Sequence, residues 1–293
     1  MINSLYYCLG TIFLLIAKIK HHLSGYSPKQ FSAEETQRSI EYDITVVESW
    51  LNQLKAYTSS DSLKDKNVLE LGPGSDLGAG LYLLSKAAEK YFAADIYELE
   101  SKTSAVFYDA FFDYLKNHKK IDTTALTEEL NKTRNCSSHR LNYTCHQDFD
   151  IVKAVGENKI DIVLSNAAFE HFNDVRQTIK KLDGITHSGS VFIALVDLQT
   201  HSRWIREKDP NNIYRYSDWL YKLLGTQSSP NRVRPYLYKE YLEKSGWENI
   251  VIQPATILDK NACMFSQKSL DKQFQGDINQ MDFLDVWICA TKI

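Results

Sequence analysis

A short apolar run that breaks at a glycine turn constrains this chain more than any other feature. Val68, Leu69 and Leu71 have the composition of a buried parallel strand, and Gly72-Pro73-Gly74 ends it before the helical-looking segment from Leu77 to Lys86. Without a Cβ, Gly72 and Gly74 let the backbone turn through positive φ and lie close to a ligand. A second apolar run, Tyr91-Phe92-Ala93-Ala94, leads straight into Asp95. An acid at the tip of the neighbouring strand can accept hydrogen bonds from both hydroxyls of a ribose, so the two strands together predict a nucleoside pocket.

The glycine spacing narrows the nucleoside. A dinucleotide fingerprint places a third glycine three residues after the second, where this chain has Leu77, with Gly78 one later. Glu70, two residues before the first glycine, can reach a cationic group lying over the turn. Acid-x-Gly-x-Gly followed by an acid on the second strand resembles motif I and the ribose-binding acid of the class I S-adenosylmethionine-dependent methyltransferases. Asp76 stands where that family usually has a further glycine.

The resemblance continues downstream in the family's order, over roughly residues 40 to 293. The segment from Ile160 through Asn166 to Phe172 resembles the fourth strand and the connection after it, and Ser188 to Leu198 the next helix-to-strand unit. Gly246 to Ile252 and Asp285 to Lys292 look like the closing antiparallel pair. The resemblance implies an α/β fold with a doubly wound, mostly parallel seven-stranded sheet and a closing antiparallel strand, Rossmann-like in plan. It implies an S-adenosylmethionine-dependent methyltransferase whose cofactor is held by Glu70, Gly72, Gly74 and Asp95. Asp148, after the apparent third strand, is implied to meet the adenine amino group, with a solvated loop acid as the alternative. Asn166 is implied to lie at the sulfonium side, with a turn former as the alternative.

Three regions lie outside the minimal pattern. Leu5 to Ala17 is almost wholly apolar and is followed by Lys18, Lys20, His21 and His22. This run of about 13 residues is shorter than the roughly 20 a spanning helix needs, and no basic region precedes it as in a secretory signal. Residues 1–24 therefore read as a helix covered by the protein's own core, by a second copy in a homodimer, or by peripheral contact with a membrane. Gly25 to Pro28 reads as a breaker and Ser32 to Glu35 as a helix start. The helical spacing of Ile40, Ile44, Val47, Leu51 and Leu54 completes a lead-in over residues 25–66, ahead of a catalytic domain over 67–293. Insertions are expected near 98–138 and 199–238. The second is rich in aromatic rings and arginines and suits a lid over a planar or sugar-like anionic acceptor, or a cap whose rings only pack its core.

The formal charge of −3 argues against a nucleic-acid partner, which usually leaves a basic face. Five cysteines without a C-x-x-C pair fit a reducing compartment, so the expected location is cytoplasmic, with peripheral membrane association as the variant. His201, His171 and Asp197 each follow an expected strand end and are the candidate general bases. His201 leads, because it heads the aromatic-rich segment. Glu170, His171 and Asp174 cluster in sequence without the spacing of a closed ligand set, so no metal is expected. The acceptor is expected to be a small molecule bearing a hydroxyl, of the sugar, lipid-linked or secondary-metabolite type. Two other classes stay open: a nicotinamide-dependent oxidoreductase, and a scaffold that binds S-adenosylmethionine without turnover.

Overall fold

Side-chain alternation in the central strands divides the molecule into two layers. In β1 (Asn67–Leu71), Val68 joins one apolar cluster while Leu69 and Leu71 join the other, as the two-residue period of a strand requires. The computed structural model describes residues 2–24, 35–98, 100, 103–135, 137–226 and 229–293. The expected Gly25 to Pro28 breaker and the Ser32 cap fall outside them.

In chain order, α1 (Ile2–Ser24) and α2 (Thr36–Thr58) precede β1, and α3 (Gly78–Ser85) leads to β2 (Lys90–Asp95). Next come α4 (Ala105–Tyr114), α5 (Thr124–Arg134), β3 (Leu141–Cys145), α6 (Ile151–Val155), β4 (Ile160–Asn166), α7 (Val175–Leu182) and β5 (Thr186–Asp197). The last part holds α8 (Arg203–Arg206), α9 (Asp218–Leu224), α10 (Pro235–Lys244), β6 (Trp247–Ile257), α11 (Lys260–Gln267) and β7 (Phe283–Lys292).

The strands form one seven-stranded sheet in the order β3-β2-β1-β4-β5-β7-β6. β1 pairs in parallel with β2 (Leu69 opposite Phe92) and with β4 (Leu69 opposite Val163). β7 runs antiparallel to both β5 and β6. This is the mostly parallel, doubly wound sheet with a closing antiparallel strand that the sequence predicts. The order reverses at β1 and β4, where the carboxyl ends of an open α/β sheet leave a crevice. α2, α3, α4 and α5 cover one face, and α6, α7 and α10 the other.

The helix read over residues 1–24 is α1, which ends at Ser24. The length judged from Leu5 to Ala17 alone is too short, because Ile2–Leu23 is long and apolar enough to cross a membrane by length and composition. The cap is also larger than residues 199–238. Leu270, Phe274 and Met281, from the β6–β7 connection, pack with Ile213, Tyr214, Tyr216 and Tyr221 into a third apolar cluster.

Candidate active site

The glycine turn after β1 is shaped by what lies above it. Gly72 and Gly74 take φ of 77° and 81°. A Cβ on Gly72 would sit 2.6 Å from the Ala168 Cβ, so Gly72 is needed for space as well as for conformation. Ala168 is brought there by Ala167, which takes a left-handed φ of 48° and donates its N–H to Leu195 O at 2.9 Å.

Beneath the turn lies a group of buried acids. Glu70 accepts from the Tyr91 hydroxyl at 2.5 Å and is 3% exposed. Burial pushes its carboxyl up to about 7, against the Tyr91 bond that favours the charge. Asp76 accepts from Gly78 N at 2.8 Å. Asp43 reaches in from α2, and a Cβ on Gly78 would meet its Oδ2 at 2.1 Å and Asp76 Oδ1 at 3.0 Å. Burial, followed by the Asp76 charge, lifts Asp43 well above the usual carboxylate range. Burial raises all three of these carboxyls, which favours their neutral forms when no cation is near.

Asp95 ends β2 with its Oδ1 accepting from Ile96 N at 2.6 Å and Tyr97 N at 3.0 Å. Its Oδ2 lies 3.4 Å from Gly74 N, which ties the acid to the glycine turn. Burial raises its carboxyl, and these three backbone bonds oppose the rise. Beyond Asp95 opens a cavity of about 580 Å³ walled by Ile96, Tyr97, Phe149, His171 and Phe172. Asp148 stands on its rim with its side chain 81% exposed. Asn166 ends β4 and donates to the Tyr42 hydroxyl at 2.8 Å.

His171 and His201 come together although thirty residues separate them in sequence. Their ring centroids are 4.8 Å apart, at 61°. His201 Nε2 lies 3.3 Å from Asp197 Oδ2, which also accepts from Arg206 Nη1 at 2.6 Å. Gln199 N donates to Asp197 Oδ1 at 2.9 Å. Burial alone would raise Asp197, but the His201 and Arg206 bonds outweigh it and hold the carboxyl down at about 2. Asp197 is therefore a fixed anion, suited to orienting His201 and poor as a base at neutral pH. Burial pushes the neighbouring Glu170 up to about 8.

Ligand atoms of Glu170, His171 and His201 lie within 4.8 Å of one another. The trio differs from the one read in sequence, because Asp174 instead caps α7 through Gln177 N at 2.8 Å. Of the arginines in the segment read as a lid, Arg232 and Arg234 are engaged within the cap, as is Arg215. Arg234 donates to the carbonyls of Asn279 at 2.8 Å and Phe283 at 3.2 Å, and Arg215 forks onto Asp209 at 2.7 and 2.8 Å. Arg232 donates to Ile213 O and Tyr216 O and pairs with Asp218. These three arginines staple the cap, and Tyr214, Tyr216 and Tyr238 are buried within the fold.

No protein-family model matches the chain, and no curated protein matches it. Among solved structures it is similar to the CurJ carbon methyltransferase, at 15% identity and TM-score 0.41, over 81% of this chain and 51% of that one. It is similar to a Haemonchus contortus phosphoethanolamine N-methyltransferase 2 complexed with phosphomonomethylethanolamine and S-adenosylhomocysteine, at 12% identity and TM-score 0.45, over 86% and 52%. The chain thus spans about half the length of these two. A Listeria monocytogenes protein, provisionally assigned as an S-adenosylmethionine-dependent methyltransferase, matches over 85% of this chain and 99% of its own, at 18% identity and TM-score 0.44. Likenesses at this level decide neither cofactor nor acceptor, which the side chains themselves must indicate.

Proposed function

We propose that the chain transfers a methyl group from S-adenosylmethionine to a hydroxyl of a small-molecule acceptor, with His201 as the proton acceptor. The observation that carries this reading is the Asp197–His201 pair beside His171, at the carboxyl end of the same sheet that holds the Gly72 turn and Asp95.

The residues around the turn fit such a cofactor. Gly72 and Gly74 leave the backbone open to close approach, and Asp95 Oδ2 is available to a ribose. Ile96, Tyr97 and Phe149 offer apolar walls for a purine, and Glu70, which a nearby ammonium group would ionise, lies beside Asp76. When bound, the cofactor supplies an activated methyl: an O–CH₃ bond forms as the S–CH₃ bond breaks, and the sulfonium leaves as a neutral thioether.

The protein's share is alignment and proton transfer. Holding two reactants in line can contribute on the order of 7–11 kcal/mol. His201 Nε2 lies 3.3 Å from the ionised Asp197, so a proton carried on Nε2 leaves Nδ1 as the acceptor for the hydroxyl proton. Asp197 then stabilises the imidazolium, and Arg206 keeps Asp197 ionised. His171, on the wall of the 580 Å³ cavity, sets where the acceptor sits against His201.

The test is His201→Ala, assayed separately for cofactor affinity and for transfer of labelled methyl to hydroxylated acceptors. Affinity should be kept and transfer should fall about 10²–10⁴-fold. Full transfer by the variant removes His201 from the chemistry. Cofactor binding without transfer to any acceptor by the wild type would favour the scaffold reading.

A further inference from the structure

The N-terminal helix is held to the cap along one side only. Gly10 is buried, and a Cβ there would meet Asn212 Oδ1 at 2.0 Å and the Tyr216 hydroxyl at 2.1 Å. Asn212 Nδ2 donates to Tyr6 O at 3.0 Å, the Tyr216 hydroxyl donates to Tyr7 O at 3.3 Å, and Phe13 stacks on Trp204 at 6.5 Å. Polar bonds of this kind commit the inner side of α1 to the protein. The helix therefore lies along the cap rather than projecting from it as a span.

The opposite side of α1 is apolar and open. Leu5, Ile12, Leu15, Ile16, Ile19 and Leu23 are all exposed large hydrophobics. The apolar surface continues onto the cap. Trp204, next to Phe13, is 82% exposed, and on α9 Trp219 is 72% exposed, one turn from the exposed Leu223. Lys18 bonds Leu223 O, which fixes α9 beside the end of α1. Isolated exposed hydrophobics are ordinary, but a continuous patch of this kind with tryptophans at its border marks an interaction surface.

Charge indicates what covers it. The chain carries −3 overall, yet α1 has no acidic residue and ends in Lys18, Lys20, His21 and His22. Apolar side chains bordered by tryptophan and a terminal basic cluster match an anionic lipid bilayer better than a second copy of a net acidic protein.

A cavity joins this surface to the candidate site. It has about 370 Å³ between α1 and the cap, walled by Phe13, Ile16, Ala17, Trp204 and Tyr221, with Thr200 and His201 among its lining. Ile16 belongs to both the open face and the cavity wall. A hydrocarbon tail leaving a bilayer at α1 would thus have an apolar path that reaches His201.

We infer that the protein rests on an anionic lipid surface through the outer side of α1 with Trp204, Trp219 and Leu223, and that its acceptor is a lipid whose hydrocarbon tail occupies the cavity between α1 and the cap while its hydroxyl-bearing head meets His201. The acceptor class rests on the methyl-transfer reading above. The lipid surface does not.

The test uses the full chain without detergent. Sedimentation is measured with vesicles of phosphatidylcholine and of an equal mixture of phosphatidylcholine and phosphatidylglycerol, and a dansyl-labelled undecanoic acid serves as a soluble tail probe. The wild type should prefer the anionic vesicles and release at high salt. Leu15→Glu with Ile19→Glu should weaken vesicle binding on the order of 100-fold while keeping tail-probe and S-adenosylmethionine affinity. Ala17→Trp should keep vesicle and S-adenosylmethionine binding and lose tail-probe affinity by about tenfold or more.

Equal vesicle binding by the double variant and the wild type overturns the lipid surface. So does a wild type that ignores vesicles and forms a dimer the double variant abolishes. Unchanged tail-probe binding by Ala17→Trp overturns the tail cavity. Failure of the wild type to bind S-adenosylmethionine, with the vesicle result intact, overturns the methyl-transfer reading and the acceptor class alone.

Discussion

Glu70 supplies the prediction that depends most closely on local physics. It is buried beside Asp76 and under the glycine turn, and burial holds its carboxyl at about 7 instead of the ordinary 4.5. A cationic ligand over the turn favours the ionised form, so binding expels the proton that burial has kept. If the bound cation restores the ordinary value of 4.5, apparent affinity rises about 70-fold between pH ~5 and pH ~8, most of it below pH ~7. The cofactor's own α-amino group, titrating near ~8, pulls the other way at the alkaline end. That contribution is common to any variant, so the difference between wild type and Glu70→Gln isolates Glu70. Calorimetry in two buffers of different ionisation enthalpy should show close to one proton released per ligand near pH ~6 by the wild type, and little by Glu70→Gln. Parallel affinity curves and equal proton release in the two proteins would mean that Glu70 does not meet the cation.

Four further outcomes follow. Asp95→Ala removes charge-assisted hydrogen bonds worth roughly 1.5–3 kcal/mol, so calorimetry should record a loss of about 10- to 150-fold in cofactor affinity by a protein that remains folded. Gly72→Ala sets a methyl 2.6 Å from Ala168 at positive φ, and chemical denaturation should report a loss of about 1–3 kcal/mol together with weaker cofactor binding. Glu170 has its folded carboxyl raised to about 8. The unfolded chain therefore ionises first, and stability falls as pH rises from about 4.5 to about 8, by up to several kcal/mol. Urea titrations of Glu170→Gln should show that fall flattened. Chelator treatment should leave methyl transfer unchanged, and its loss, restored by one metal, would assign an ion to Glu170, His171 and His201.

The parts legible in sequence are those whose physics is local. The run into Gly72, the acid closing the next strand and the order of later strands were readable because strand patterning and turn chemistry act over a few residues. The acids under the turn were only half visible. Glu70 and Asp76 lie beside the glycines, whereas Asp43 arrives from α2 and shows no local sign of its role. A segment rich in arginine and tyrosine has the same composition whether it lines a pocket or packs a cap. The carbonyls of Asn279 and Phe283 that engage Arg234 lie far downstream, so its staple role could not be read at Arg234. The contribution of Leu270, Phe274 and Met281 was hidden for the same reason. His201 is singled out in sequence by its place after a strand end, but its closeness to His171 follows from the adjacency of β4 and β5.

The central claim is that the Gly72 turn and Asp95 hold S-adenosylmethionine, and calorimetric titration of the purified chain tests it most directly, with NAD in parallel and Asp95→Ala as control. Micromolar binding of S-adenosylmethionine that Asp95→Ala weakens by at least about tenfold, with no heat from NAD, is the predicted result. Binding of NAD instead, or S-adenosylmethionine binding that Asp95→Ala leaves unchanged, would contradict it.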